Sequence, residues 1–299
     1  MKSNKIIFID VGSSTVKVYS YTNERVQLVS AATLGLKEGF DARKGATKAK
    51  LEELYSFVED LKKKYPSCSI ELYGTALFRR LAPNAQEQFI RDFYEKTKAK
   101  FLILSHEQEN FYLEKALLGR YSGSVPVLIL NIGGGSTEIV LVQNEKAVER
   151  YNIPIGVGQI LEQYPTLNNM YSKVKIDVVK RSIKSLLPSI KTPVSTAINT
   201  GGELTWMKIA QYNLKRNTLF EDNEHPVQVT LSNFKKRNRD VYNKLSLQEL
   251  ENLMPSNPGW MQGARPYLAL AESVFDAYDI KVIIPSDSNL INGVVRSIP

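Results

Sequence analysis

Phe8-Ile9-Asp10-Val11-Gly12-Ser13-Ser14-Thr15 and Leu130-Asn131-Ile132-Gly133-Gly134-Gly135-Ser136-Thr137-Glu138 are two stretches built on one plan. Each ends an apolar run, turns on glycine and hydroxyl residues, and re-enters a β-branched run. That run is Val16-Lys17-Val18-Tyr19 after the first and Ile139-Val140-Leu141-Val142 after the second. The pattern is a hairpin with a polar, glycine-opened tip, written twice. Glycine lets the backbone turn tightly and approach a ligand with no Cβ in the way. Successive N–H groups can then point at an anion, and Ser and Thr add hydroxyl donors. Two such turns, each opening a half of the chain, point to a cleft that grips phosphate from both sides.

Outward from each turn the two halves run in parallel. The first half predicts strands near 5–10, 15–21 and 25–34, then a helix at 47–64 with Leu51, Leu54, Tyr55, Val58 and Leu61 on one stripe. A strand at 69–73 follows, then helices around Leu77 and at 85–97, a strand at 100–104 and a helix at 107–118. The second half predicts strands at 126–132, 137–143 and 146–153, helices at 157–163 and 173–187, and a strand at 194–199. Beyond a helix at 203–211 the chain reads as a polar, basic stretch to about 240. Helices near 246–252 and 263–278, a strand at 281–284 and a short helix complete it. This is an internal duplication of a β-β-β-α-β-α-β-α unit, each with a mixed five-stranded sheet. The predicted boundary lies near Gly119–Val125, giving domains 1–122 and 123–299, with the last helix packing back on the first. Ligands in such sheets sit at strand ends where glycine-rich turns gather.

Composition narrows the class. The chain has 299 residues, 43% hydrophobic and 23% charged, as in an ordinary two-domain globular protein. No apolar run reaches the roughly 20 residues that span a bilayer, and the N-terminus lacks a signal-peptide core. Cys68 is the only cysteine, which excludes an intrachain disulfide. These features predict a cytoplasmic protein with no membrane association. With two histidines, His106 and His225, a multi-histidine metal site is disfavoured, and a hard cation on oxygen ligands fits better. The net charge of +8 favours polyanionic partners. Basic clusters occur at Lys62-Lys63-Lys64, along Lys173 to Lys184, and at Lys235-Lys236-Arg237. Interleaved aromatics are sparse, so no dedicated nucleic-acid binding is expected.

Taken in order, the motifs resemble the exopolyphosphatase / guanosine pentaphosphate phosphatase (Ppx/GppA) family of the actin-like, sugar-kinase and Hsp70 fold group. The resemblance is carried by Asp10–Thr15, Gly74-Thr75-Ala76-Leu77-Phe78-Arg79, Ser105-His106-Glu107-Gln108-Glu109 and Asn131–Glu138. Pro154-Ile155-Gly156, Gly201-Gly202-Glu203 and Ser286-Asp287-Ser288-Asn289-Leu290-Ile291-Asn292-Gly293 complete it. It implies an α/β protein of two duplicated RNase H-like (actin-like ATPase) lobes with an interlobe cleft. It implies hydrolysis of terminal phosphoanhydrides, with inorganic polyphosphate as the expected substrate because the surface is basic. Guanosine pentaphosphate is the alternative, as is a non-hydrolytic phosphate or nucleotide sensor. Gly12, Ser13, Ser14, Thr15, Gly133, Gly134, Gly135, Ser136, Thr137, Gly201 and Gly202 would bind phosphate. Arg79 would add a cation, Glu109 would be the general base, and Glu138 would orient the water. Asp10, Glu138 and Asn131 would hold Mg2+. A homodimer is expected from the same resemblance.

Four positions depart from the family pattern. Asn131 stands where the second phosphate motif usually has Asp, and Gln108 replaces the first of two paired Glu. Glu203 replaces a threonine after the Gly-Gly turn, where it either repels phosphate or holds a cation. Arg265-Pro266-Tyr267 replaces Arg-Ala-Asp. Ser286-Asp287 reads as a cap for the last helix.

Overall fold

The computed structural model describes residues 5–22, 25–118, 125–169, 174–219, 224–255 and 257–298. Two compact units emerge, one of Met1–Tyr112 with Leu290–Pro299, the other of Leu113–Asn289. The division falls inside a single helix, His106–Leu118. Residues 119–124, where the sequence reading sets the boundary, lie outside the described residues, as does Lys173.

In the first unit, β1 (Ile6–Val11), β2 (Thr15–Thr22) and β3 (Arg25–Thr33) form an antiparallel meander. β4 (Ser69–Gly74) and β5 (Lys100–Ile103) continue the sheet parallel to β1, in the order β3-β2-β1-β4-β5. The Ile-Ile-Phe-Ile run of β1 is apolar on both faces because both are covered. Ile7, Ile9 and Val11 pack with Leu54, Val58 and Leu61 of helix Lys48–Lys64 and Phe93 of helix Pro83–Thr97. Phe8 packs on the other face with Ile291 and Val294 of the C-terminal helix Leu290–Arg296. That helix sits tightly because residue 293 is glycine. A Cβ there would fall 1.7 Å from the Tyr112 carbonyl oxygen.

The second unit repeats the plan with β6 (Val127–Ile132), β7 (Thr137–Gln143), β8 (Lys146–Ile153) and β9 (Thr196–Thr200). β10 (Lys215–Arg216), β11 (Val227–Thr230) and β12 (Val282–Pro285) follow. Their order is β10-β11-β12-β9-β6-β7-β8. Within it, β8-β7-β6-β9-β12 has the pairing senses of β3-β2-β1-β4-β5. One face packs on helix Ala264–Ala277, whose residues from Ala264 through Phe275 are all buried. The other face receives Ala116 and Leu117 of helix His106–Leu118.

Among the described residues the second sheet therefore has seven strands, two more than the sequence reading expects. The extra pair and the helix Leu231–Lys244 occupy the stretch read as merely polar and basic. β10 is two exposed residues and β11 only four, too short for alternation to register. The helix buries Phe234, Asn238, Val241 and Tyr242, so a polar residue interrupts its stripe. Its outer face is crowded with lysine and arginine, which hides the 3.6-residue period.

Candidate functional site

In the first unit, the predicted residues lie at or beyond the C-terminal ends of the parallel strands β1, β4 and β5. The turn after β1 is closed by the Gly12 N–H donating to the Thr15 carbonyl at 3.0 Å. The Ser13 carbonyl accepts from Lys37 N–H at 2.9 Å, and the Ser14 carbonyl from Leu34 and Gly35 at 2.9 and 3.0 Å. Each peptide is planar and trans, so a carbonyl tied to the 34–37 loop sends the following N–H the opposite way. The Ser14 and Thr15 amides thus face away from that loop, as a phosphate nest requires. Asp10 closes β1 opposite Lys17. Burial pushes its carboxyl above the usual carboxylate value, and Lys17 opposes the shift.

Arg79 ends the short helix Ala76–Arg79, which starts directly beyond β4. Its Nη1 donates to Glu109 Oε2 at 2.6 Å and to the Leu104 carbonyl at 3.1 Å. The two side chains are 13% and 8% exposed, so this ion pair is largely withdrawn from water. Arg79 Nη2 is buried with no hydrogen-bond partner among the described residues. A buried guanidinium nitrogen left without a partner calls for an acceptor in the working protein. Glu109 lies one residue past a capping box. Ser105 N–H donates to Gln108 Oε1 at 2.9 Å, and Gln108 N–H to Ser105 Oγ at 3.2 Å. Gln108 therefore serves the helix end, a task for which glutamine and glutamate are equivalent.

In the second unit, the corresponding edge is that of β6, β9 and β12. Gly133 N–H donates to the Ser136 carbonyl at 2.8 Å, mirroring the first turn. Val157 and Gly158 N–H groups bind the Gly133 and Gly134 carbonyls at 3.0 and 2.8 Å. Gly156 is pressed against this turn: a Cβ there would stand 2.4 Å from the Gly133 oxygen. Thr137 turns its hydroxyl to the Ile155 carbonyl at 2.7 Å, so its side chain serves structure rather than ligand. Glu138 is 1% exposed. Asn131 Nδ2 donates to its Oε2 at 2.8 Å and Ser136 Oγ to its Oε1 at 2.6 Å. Gly201 and Gly202, at φ of 117° and 124°, follow β9, and a Cβ on Gly201 would lie 3.3 Å from Asn131 Oδ1.

Two departures from the family pattern turn out to be one. Glu203 is buried at the start of helix Glu203–Ile209 and accepts a hydrogen bond from Tyr267, whose hydroxyl also accepts from Asn199 Nδ2. Burial and the Glu203 carboxylate push the Tyr267 phenol far up. Arg265 holds backbone instead, donating to the Tyr242, Asn168 and Leu245 carbonyls. Asp287 corrects a sequence expectation. It caps not the last helix but Glu203–Ile209, accepting from Thr205 N–H and Oγ1 at 2.9 and 2.7 Å.

The donors around the second turn are a carboxylate and amide oxygens, with no thiol, which suits a hard cation such as magnesium. Sequence reasoning missed Asn152, opposed to Glu138 across β7 and β8, and Tyr267 as the partner of Glu203. Counting residues back from the Pro154 turn would have found the first; the second has no sequence signal.

Among solved structures, the chain is similar to an Aquifex aeolicus member of the Ppx/GppA family. Identity is 19%, the TM-score 0.69, and coverage 98% of this chain and 97% of that one. It is also similar to an exopolyphosphatase from Cytophaga hutchinsonii, at 13% identity and TM-score 0.71, covering 98% and 96%. These likenesses show a two-lobed, actin-like α/β fold. A bifunctional 3-dehydroquinate synthase/phosphatase of Fusobacterium nucleatum is 24% identical over 225 residues, 70% of this chain. The chain spans 32% of that relative's length. The Ppx/GppA phosphatase family matches residues 17–298, and the chain belongs to that family. Among the described residues, no helix is long and apolar enough to cross a membrane.

Proposed function

We propose that this protein is a phosphoanhydride hydrolase that releases terminal phosphate from inorganic polyphosphate. The observation that carries the reading is the buried Arg79–Glu109 pair, with Arg79 Nη2 unpartnered among the described residues, beyond the strand next to the one that ends in the Asp10–Thr15 turn. The amides and hydroxyls of Gly12–Thr15 bind phosphoryl oxygens in the first unit, where Arg79 adds a full positive charge, and those of Gly133–Ser136 bind phosphate in the second. Arg79 also fixes the orientation of Glu109 through one carboxylate oxygen. Glu109 takes a proton from the attacking water as its oxygen bonds to the terminal phosphorus. The bridging P–O bond breaks, and its electron pair leaves with the shortened chain. Glu109 then returns the proton to solvent. Glu138 would hold magnesium, which supplies charge neutralisation on the phosphate oxygens when bound, with Asn131 holding its carboxylate in place.

Phosphate release from polyphosphate, with magnesium present, tests the reading. Wild type turns over, and Glu109→Gln, folded by circular dichroism, loses about a thousandfold in rate. No release by folded wild type would sink the hydrolase reading. Guanosine pentaphosphate stays the second substrate for a specific reason: several lysines of the basic clusters are held in local ion pairs. Lys62 and Lys63 pair with Glu59 and Asp60, and Lys180 with Glu272 and Asp276. A long polyanion therefore gains less from these clusters than net charge alone implies. Competing the two substrates in one assay separates them. The sensor reading loses its main motive, because Asn131 has a structural reason in its bond to Glu138.

A further inference from the structure

Strands β6, β7 and β8 set Asn131, Glu138 and Asn152 in one row across the sheet. Directly opposed residues project from the same face with Cβ atoms about 5 Å apart. One side of Glu138 is explained, since Asn131 and Ser136 each donate to one carboxylate oxygen. On the same face of β8, Arg150 is also explained, held by both oxygens of Glu114. Asn152 is not explained. Its Oδ1 is buried, and no hydrogen bond reaches it among the described residues. A buried amide oxygen with no donor is costly to leave unpaired. Where such a group persists beside a carboxylate, it implies a water or an ion in the working protein.

We propose that Asn152 is a further oxygen ligand, beside Glu138, of the divalent cation that works in this site. The inference rests on the reading of Glu138 as a cation ligand. The two asparagines in the row then have opposite tasks. Asn131 donates through Nδ2 and holds the carboxylate still, whereas Asn152 accepts and adds a neutral carbonyl-type ligand. Such mixed carboxylate and amide oxygen sets suit hard divalent cations. An amide turned to donate to Glu138 is the competing geometry, and substitution separates the two. Aspartate at 152 strengthens a ligand but repels Glu138 where a donor was needed.

Binding of Mn2+ alone to the full chain, without substrate and read by electron paramagnetic resonance, tests this directly. Asn152→Leu weakens binding about tenfold and Asn152→Asp tightens it by a similar factor, with folding checked by circular dichroism. Glu138→Gln loses the site. If Glu138→Gln weakens binding while both Asn152 variants bind as wild type, the inference falls and the reading of Glu138 stands. Weaker binding by Asn152→Asp also overturns it, since that identifies a donor. Unchanged binding by Glu138→Gln overturns the cation reading of Glu138 itself and the inference with it.

Discussion

Asp10 and Asn131 stand at equivalent ends of β1 and β6, and the residue opposite decides which of them can be an acid. Asp10 faces Lys17 across the hairpin, while Asn131 faces Glu138 and donates to it. A second carboxylate at 131 would lose that donor and set two like charges together in a buried place. Asn131→Asp is therefore expected to lower stability by about 2 kcal/mol without divalent cations, and added magnesium to recover most of the loss. Thermal denaturation with and without magnesium measures it. Equal melting of wild type and variant in chelator would refute the account. The same logic of opposing partners explains Glu203, which is not aimed at phosphate but shares a proton-donating contact with Tyr267.

At the scale of elements, each glycine turn depends on a neighbour that holds its shape. The first leans on the 34–37 loop, whose amides take the Ser13 and Ser14 carbonyls. The second leans on Gly156 and the start of helix Val157–Gln163. At Gly156, a methyl group would meet backbone atoms of Gly133, Gly134 and Gly135 within 2.8 Å, and backbone yields less readily than a side-chain tip. Gly156→Ala should displace the turn and raise the KM for polyphosphate about tenfold or more, while circular dichroism stays native. Steady-state kinetics on the folded variant decide the matter, and an unchanged KM would separate this turn from substrate binding. The helix carrying Glu109 is similarly prepared by Ser105 and Gln108, whose reciprocal cap fixes where its first turn begins.

At the scale of the whole molecule, charge and topology carry the lesson. The net charge of +8 invites a picture of a basic track for a polyanion. The surface instead shows lysines spent on local pairs: Lys62 with Glu59, Lys63 with Asp60, Lys235 with Asp276, Lys244 with Asp240. Exposed pairs of this kind contribute little to stability and leave little field at a distance. The double variant Lys62→Gln/Lys63→Gln is accordingly expected to change the KM for polyphosphate less than about twofold. A large, salt-sensitive rise would restore the basic-track picture.

The hairpins at both glycine turns, the repeated strand order and the helices that carry Arg79 and Glu109 were legible in the chain itself. Their signals are local: β-branched runs, glycine where a Cβ cannot fit, and a capping sequence before the helix. The apolar period of Lys48–Lys64 belongs to the same class. What only tertiary structure decided depends on residues far apart in sequence. The extra strands β10 and β11 exist because β12 offers them an edge. Asp287 caps a helix that begins more than eighty residues earlier, and Tyr267 answers Glu203 across a comparable interval. The row Asn131–Glu138–Asn152 needs the register of three strands before it becomes a site. Local backbone preference writes the elements, but opposing partners in a buried place assign each polar side chain its task.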